Sequence, residues 1–168
     1  MGCLIEEGLK GGLLGFDLRW SSALVYESGR ESLACSTLRG VGETVREILM
    51  KGEEARNRYR YEAGIVTCQN KILAALERSS GKEWSIGVAE VKEAVREGNM
   101  RMDKGFLDGA MVLLERSVWF GRLDDVGIWQ KAKADVNGQK HAGNVVGKAV
   151  EQVLMELEKN GEMDCGCG

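Results

Sequence analysis

The stretch RYRYEAGIVTCQNKILAALERSSGKEWSIGV, residues 58–88, decides the fold class of this chain. Arg58 to Tyr61 alternates polar and aromatic side chains, and Gly64 to Val66 follows. Alternation of period two is what a half-buried strand requires, so a strand is predicted over 58–66 with Tyr59 and Tyr61 inward. Thr67 then offers an N-cap to a helix whose apolar stripe is Ile72, Leu73 and Leu76 and whose stop is Gly81. Trp84 to Val88 predicts another short strand. Strand, helix and strand in succession are the unit of α/β folds.

The same reading extends outward on both sides. Upstream, Leu38, Val41, Val45, Ile48 and Leu49 share one helical face, with Thr37 as cap and Gly52 as stop. Ser22 to Glu27 predicts a strand ending in the turn Ser28-Gly29. Residues 3–15 are apolar but broken by Gly8, Gly11, Gly12 and Gly15, which predicts at best a frayed helix. Downstream, Val91, Ala94 and Val95 form one side of a charged helix supported by Glu97–Arg101 at i,i+4. Leu107 to Phe120 is apolar nearly all round, which predicts burial on more than one side. Residues 121–143 read as loop. Val145, Val146, Ala149, Val150, Val153, Leu154 and Leu157 make a wide stripe on a last helix ending near Gly161. The expectation is a helix-rich, mixed α/β fold: one partial domain over 1–161 and a disordered tail over 162–168.

Composition narrows the function. The chain has 168 residues, 23 Lys+Arg against 26 Asp+Glu, and a formal net charge of −3. That length supports one core, and that charge supplies no field for a polyanion. Arg56 to Tyr61 imitates a nucleic-acid surface, but one short basic run on an acidic chain falls short of the usual footprint. Five cysteines without regular spacing argue for a reducing compartment over a disulfide framework. No apolar run approaches the ~20 residues a bilayer needs. Met1-Gly2-Cys3 fails as an acylation signal because Glu6 stands where Ser or Thr belongs. A cytoplasmic chain with no membrane or nucleic-acid partner is expected.

Catalytic constellations are not written here. His141 has no G-x-S-x-G elbow to serve. Cys165-Gly166-Cys167 supplies two of the roughly four ligands that structural zinc takes. Gly143-x-x-x-Gly147-Lys148 is one residue short of a P-loop and ends in Ala149. A dinucleotide fingerprint over 10–15 would need glycine where Lys10 stands, and a strand before it. No catalytic, cofactor-binding or metal-binding residue is assigned.

A larger pattern carries more. Gly15-Phe16-Asp17-Leu18, Ala23 to Tyr26, Ser28-Gly29 and Cys35 to Gly42 occur in that order. Asn57 to Tyr61, Cys68-Gln69-Asn70 through Glu77, Gly81 to Trp84 and Val95 to Asn99 follow, then the apolar helix ending Phe120-Gly121. This succession resembles the C-terminal half of NmrA-like proteins, in the isoflavone-reductase-like branch found in fungi. The resemblance covers about residues 5–122 and more loosely the last helix. It implies an atypical short-chain-dehydrogenase fold that binds NADPH on an N-terminal Rossmann half. The family's glycine fingerprint and catalytic lysine precede the region matched here, so no position takes over either role. Cys68 and Lys71 depart from the Ser and acidic residue that relatives often carry.

Two functions follow from the resemblance. The chain is the substrate-side half of an NADPH-dependent oxidoreductase, inactive without its N-terminal half; or it is a non-catalytic regulatory module acting through a protein partner. On the first, Phe106, Met111, Leu114 and Trp119 are candidates to line a substrate pocket. No NADP(H) binding is expected of the chain by itself. The helices over 38–50, 67–80 and 145–159 are expected to pack as one layer. Leu24 and Val25 are expected on an open sheet edge, giving a marginally stable chain that associates with itself.

Overall fold

The structure, a computed structural model, describes residues 3–57, 64–121 and 145–161. Two three-stranded mixed sheets organise it. The first comprises β1 (Cys3–Leu4), β4 (Leu33–Ser36) and β5 (Ile65–Thr67); β4 is central, parallel to β1 and antiparallel to β5. The second comprises β2 (Phe16–Asp17), β3 (Ser22–Tyr26) and β6 (Ser85–Ala89); β3 is central, antiparallel to β2 and parallel to β6. Around them run α1 (Ile5–Lys10), α2 (Leu38–Lys51), α3 (Gln69–Ser80), α4 (Val91–Asp103), α5 (Leu107–Phe120) and α6 (Val145–Lys159). The fold is mixed α/β and helix-rich.

Several expectations need correction. Residues 3–15 hold β1 and a short α1 whose Ile5 and Leu9 are fully buried, so tertiary cover overrides the glycines. β4 was not anticipated. All its residues are buried, and a short run without alternation gives no period to read. Thr67 lies inside β5; Cys68 takes the cap position of α3 without a side-chain bond. Leu24 and Val25 are not on an open edge: β6 runs along all of β3, and on the other side, beyond the reach of β2, the Gly15 carbonyl and the Gln69 side chain take the backbone groups of Leu24 and Tyr26. Among the described residues the edge strands of that sheet are β2 and β6. Most of the strand predicted over 58–66, the loop over 121–143 and the tail over 162–168 fall outside the described residues.

The helices divide sharply. α6 buries Gly147, Ala149, Val150, Val153, Leu154 and Leu157, packing on α3 and α1. α5 packs along α4 and anchors on β3 by stacking Phe120 on Tyr26 at 5.1 Å. Only Ala110 and Phe120 of α5 are buried, so its all-round apolar surface is not covered among the described residues. α2 buries no residue and does not join the layer of α3 and α6. Its cap matches expectation, with Thr37 Oγ1 accepting from the Gly40 N–H at 2.9 Å.

A polar clamp holds the core. β2 ends at Phe16, leaving the upper part of β3 without a strand neighbour on that side. The Gln69 side chain takes over as the next rung. Its Oε1 accepts from the Tyr26 N–H at 2.8 Å, and its Nε2 donates to the carbonyls of Leu24 at 3.1 Å and Leu14 at 3.0 Å. Gly15 sits at φ 86° with its carbonyl accepting from the Leu24 N–H, and a Cβ there would strike the Leu24 carbonyl. Gly29, at φ 67°, lies against Asn70, whose Nδ2 donates to the Ser28 carbonyl. Only glycine combines that conformation with that proximity.

Candidate functional site

The main cleft grows out of the turn that follows α1. Gly11 and Gly12 end the helix, and Gly15 reverses the chain into β2, leaving a hollow of about 900 Å³. Phe16 to Arg19, Ser22 to Leu24, Ser85 and Gly87 form its sheet side, while Arg116 of α5 and Leu157 of α6 close it. Arg116 reaches across from an apolar helix, and its Nη2 donates to the Gly12 carbonyl at 2.7 Å. Its Nε is buried with no partner among the described residues. Asp17 Oδ1 accepts from the backbone N–H groups of Arg19 and Trp20, so that carboxylate is occupied in closing its own turn.

Lys10 lines the same cleft. Its Nζ donates to Glu156 Oε2 at 2.6 Å, a bond that raises the Lys10 pKa and lowers that of Glu156. Both groups are thereby held charged, and neither is moved toward the neutral range where a general acid or base works. Ser22 and Ser85 supply hydroxyls, with no histidine beside them among the described residues. The cleft therefore has the means to hold and orient a polar group, and no machinery for proton transfer among the described residues.

The thiols are silent. Cys3, Cys35 and Cys68 are buried and free. Burial pushes the Cys3 thiol up to about 11 and Cys35 higher still, with the adjacent Cys3 adding to the Cys35 shift. Thiols held in that form are neither nucleophiles nor ready metal ligands. No group of three or more His, Cys, Asp or Glu comes together among the described residues. His141, Cys165 and Cys167 lie outside them.

The four residues proposed from sequence do not share this cleft. Phe106 precedes α5 and is 66% exposed, and Met111 is 59% exposed. Leu114 is half-buried against Gly98 of α4, and Trp119 is half-buried on the core. α5 lends Arg116 to the cleft. Sequence reasoning passed over Arg116 and Asp17. One signal was present: a lone cation in a long apolar helix requires a polar destination.

The oxidoreductase poxI of Penicillium oxalicum is 33% identical over 93 residues, covering 55% of this chain and 30% of poxI. The oxidoreductase aprR of Aspergillus flavus is 30% identical over 101 residues, covering 60% of this chain and 34% of aprR. The matched region spans about a third of the length of these relatives. No family model and no solved structure matches the chain. Both relatives carry oxidoreductase names, and this chain resembles a minor part of each. No described helix is long and apolar enough to cross a membrane.

Proposed function

We propose that this chain is the substrate-side part of an NADPH-dependent oxidoreductase of the NmrA-like, isoflavone-reductase-like kind, inactive until a dinucleotide-binding part completes it. The observation that carries this reading is α2. Val45, Leu49 and Met50 are 48%, 74% and 73% exposed on a helix that fully buries no residue. A helix that half-buries Val41 and Ile48 and leaves Val45, Leu49 and Met50 exposed wants more cover than the described residues give it. The relatives are about three times longer than the matched region, which gives that cover a source. The residues that carry the resemblance, Gly15, Tyr26, Gly29, Gln69 and Asn70, are joined in one hydrogen-bonded frame. Residues that hold such a frame serve the fold and need no catalytic role.

The cofactor belongs to the completing part. Dinucleotide sites need glycines for close backbone approach and a helix N-terminus aimed at the pyrophosphate. Of the glycines over 8–15, Gly8 lies inside α1, and Gly11, Gly12 and Gly15 make the turn between α1 and β2. Substrate would lie between the two parts, with the chain binding and orienting it.

The test is calorimetric titration of NADPH into the chain, with and without the rest of poxI supplied as a separate polypeptide. No heat from the chain itself, and binding together with a raised melting midpoint for the mixture, is the expected result. Low-micromolar binding by the chain itself would overturn the reading. A chain indifferent to the poxI segment that instead retains a stoichiometric cellular partner would favour the regulatory alternative.

A further inference from the structure

We propose that β6 is a homodimerisation edge, through which two copies of this chain join their β2–β3–β6 sheets into one. The inference rests on the direction of backbone groups and is independent of the oxidoreductase reading. The Ser85 N–H donates to the Ser21 carbonyl at 3.0 Å, and the Glu27 N–H donates to the Ala89 carbonyl at 2.9 Å. These bonds fix the phase of the parallel ladder at both ends of β6. Alternate residues of a strand address the same neighbour, so Ser85, Gly87 and Ala89 turn their backbone groups to β3. Ile86 and Val88 therefore turn their N–H and C=O groups outward, where no described strand meets them.

That pattern is complementary to itself. A two-fold axis through Gly87 sets Ile86 of one copy opposite Val88 of the other in an antiparallel pair. Residues facing each other in this way exchange both N–H···O=C bonds, and symmetry repeats the exchange on the far side of the axis. Gly87 meets Gly87 at the centre, where no side chain interferes. Ile86 and Val88 lie on the same face as their β3 neighbours Ala23 and Val25, which are buried. They are themselves 54% and 73% exposed, so the apolar face runs out to the edge and stops there bare. Paired copies would bring these side chains together across the junction.

Charge does not oppose the contact. Edge strands are usually guarded by Lys, Pro or a bulge, and residues 84–89 contain no charge and no proline. A foreign strand would satisfy the same N–H and C=O groups, but a second copy does so with matched apolar pairs and no like-charge meeting within the strand. The contact is small beside a standard interface of about 800 Å² per partner, so the dimer forms with concentration and is not obligate.

Sedimentation velocity over a concentration series, joined to residue-resolved hydrogen exchange, tests this on the full chain. The expected result is a monomer–dimer equilibrium in which the Ile86 and Val88 amides gain protection with concentration, while Gly87 and Ala89 are protected throughout. Val88→Lys, at an exposed side chain, should return the protein to monomer without altering its melting midpoint. A monomer at every concentration would overturn the proposal. So would a dimer that survives Val88→Lys with the Ile86 amide still exchanging freely. Protection of Ile86 and Val88 in a dilute monomer would assign the edge to another segment of the same chain, and would overturn it equally.

Discussion

α2 and α6 are written alike and end differently. Each is an amphipathic helix of about four turns with valine and leucine at helical spacing. α6 lays its stripe on α3 and α1, leaving Val150 and Val153 essentially without solvent contact. α2 fully buries none of its stripe among the described residues: Val41 and Ile48 are half-buried, while Val45, Leu49 and Met50 are exposed. The difference lies in the platform. α3 is fastened to β3 through Gln69 and Asn70, which presents a fixed surface for α6, whereas α2 leaves β4 toward solvent. An apolar stripe states that cover is required and leaves the supplier to the rest of the fold.

The largest expected effect breaks the platform. Gln69→Leu keeps the volume but strands the Tyr26 N–H and the Leu14 and Leu24 carbonyls. At roughly 1–3 kcal/mol for each of three unsatisfied groups, the loss is about 3–9 kcal/mol. Urea unfolding should show the midpoint collapse, with α6 losing its order alongside α3.

Next comes a matched pair of truncations. Leu154→Ala in α6 empties a buried site and should cost about 2–4 kcal/mol. Leu49→Ala in α2 removes a side chain that is 74% exposed, and the change should stay within about 0.5 kcal/mol. Thermal melts of both variants measure the contrast. Equal costs would mean that α2 is covered after all.

Smaller effects sharpen the same distinction. α2 is held at its start by the Thr37 cap and by Glu6 Oε1, which accepts from the Leu38 N–H at 3.3 Å. Thr37→Ala should destabilise this helix by about 1 kcal/mol. Because α2 stands outside the core, the loss should be seen in local amide exchange and not in the global melt. On α6, the Lys10–Glu156 bond lowers the Glu156 pKa, so its contribution is present above the carboxylate's ordinary range near 4.5 and is lost as pH falls below it. The Glu156 side chain is 44% exposed and well screened by solvent, so the effect is slight. The acid limb of a stability profile should flatten a little in Glu156→Gln.

Much of the element order was legible. The strand at 22–26, the helices at 38–51, 69–80, 91–103, 107–120 and 145–159, and the stops at Gly52 and Gly81 follow from periodicity and caps, which act over a few residues. What escaped depends on distant partners. β4 is a short all-buried run given strand form by β1 and β5 on either side. The central position of β3 is decided by pairing with β2 and β6, which no local pattern encodes. Gln69 reads as an ordinary helix-start residue, and its work as a surrogate strand rung exists only once β2 has ended. The cleft escapes for the same reason: Arg116 and the 11–19 turn lie about a hundred residues apart in sequence, and only tertiary packing, with Phe120 stacked on Tyr26, brings Arg116 to the Gly12 carbonyl.

The central claim is that α2 is a formed helix waiting for cover from outside the described chain. Hydrogen exchange of the isolated protein, resolved along 38–51 and 145–159, tests it most directly. The α2 amides are expected to exchange by local opening, far faster than those of α6, which exchange only with the core. Protection of α2 equal to that of α6 would show that this chain already covers it, and would contradict the account.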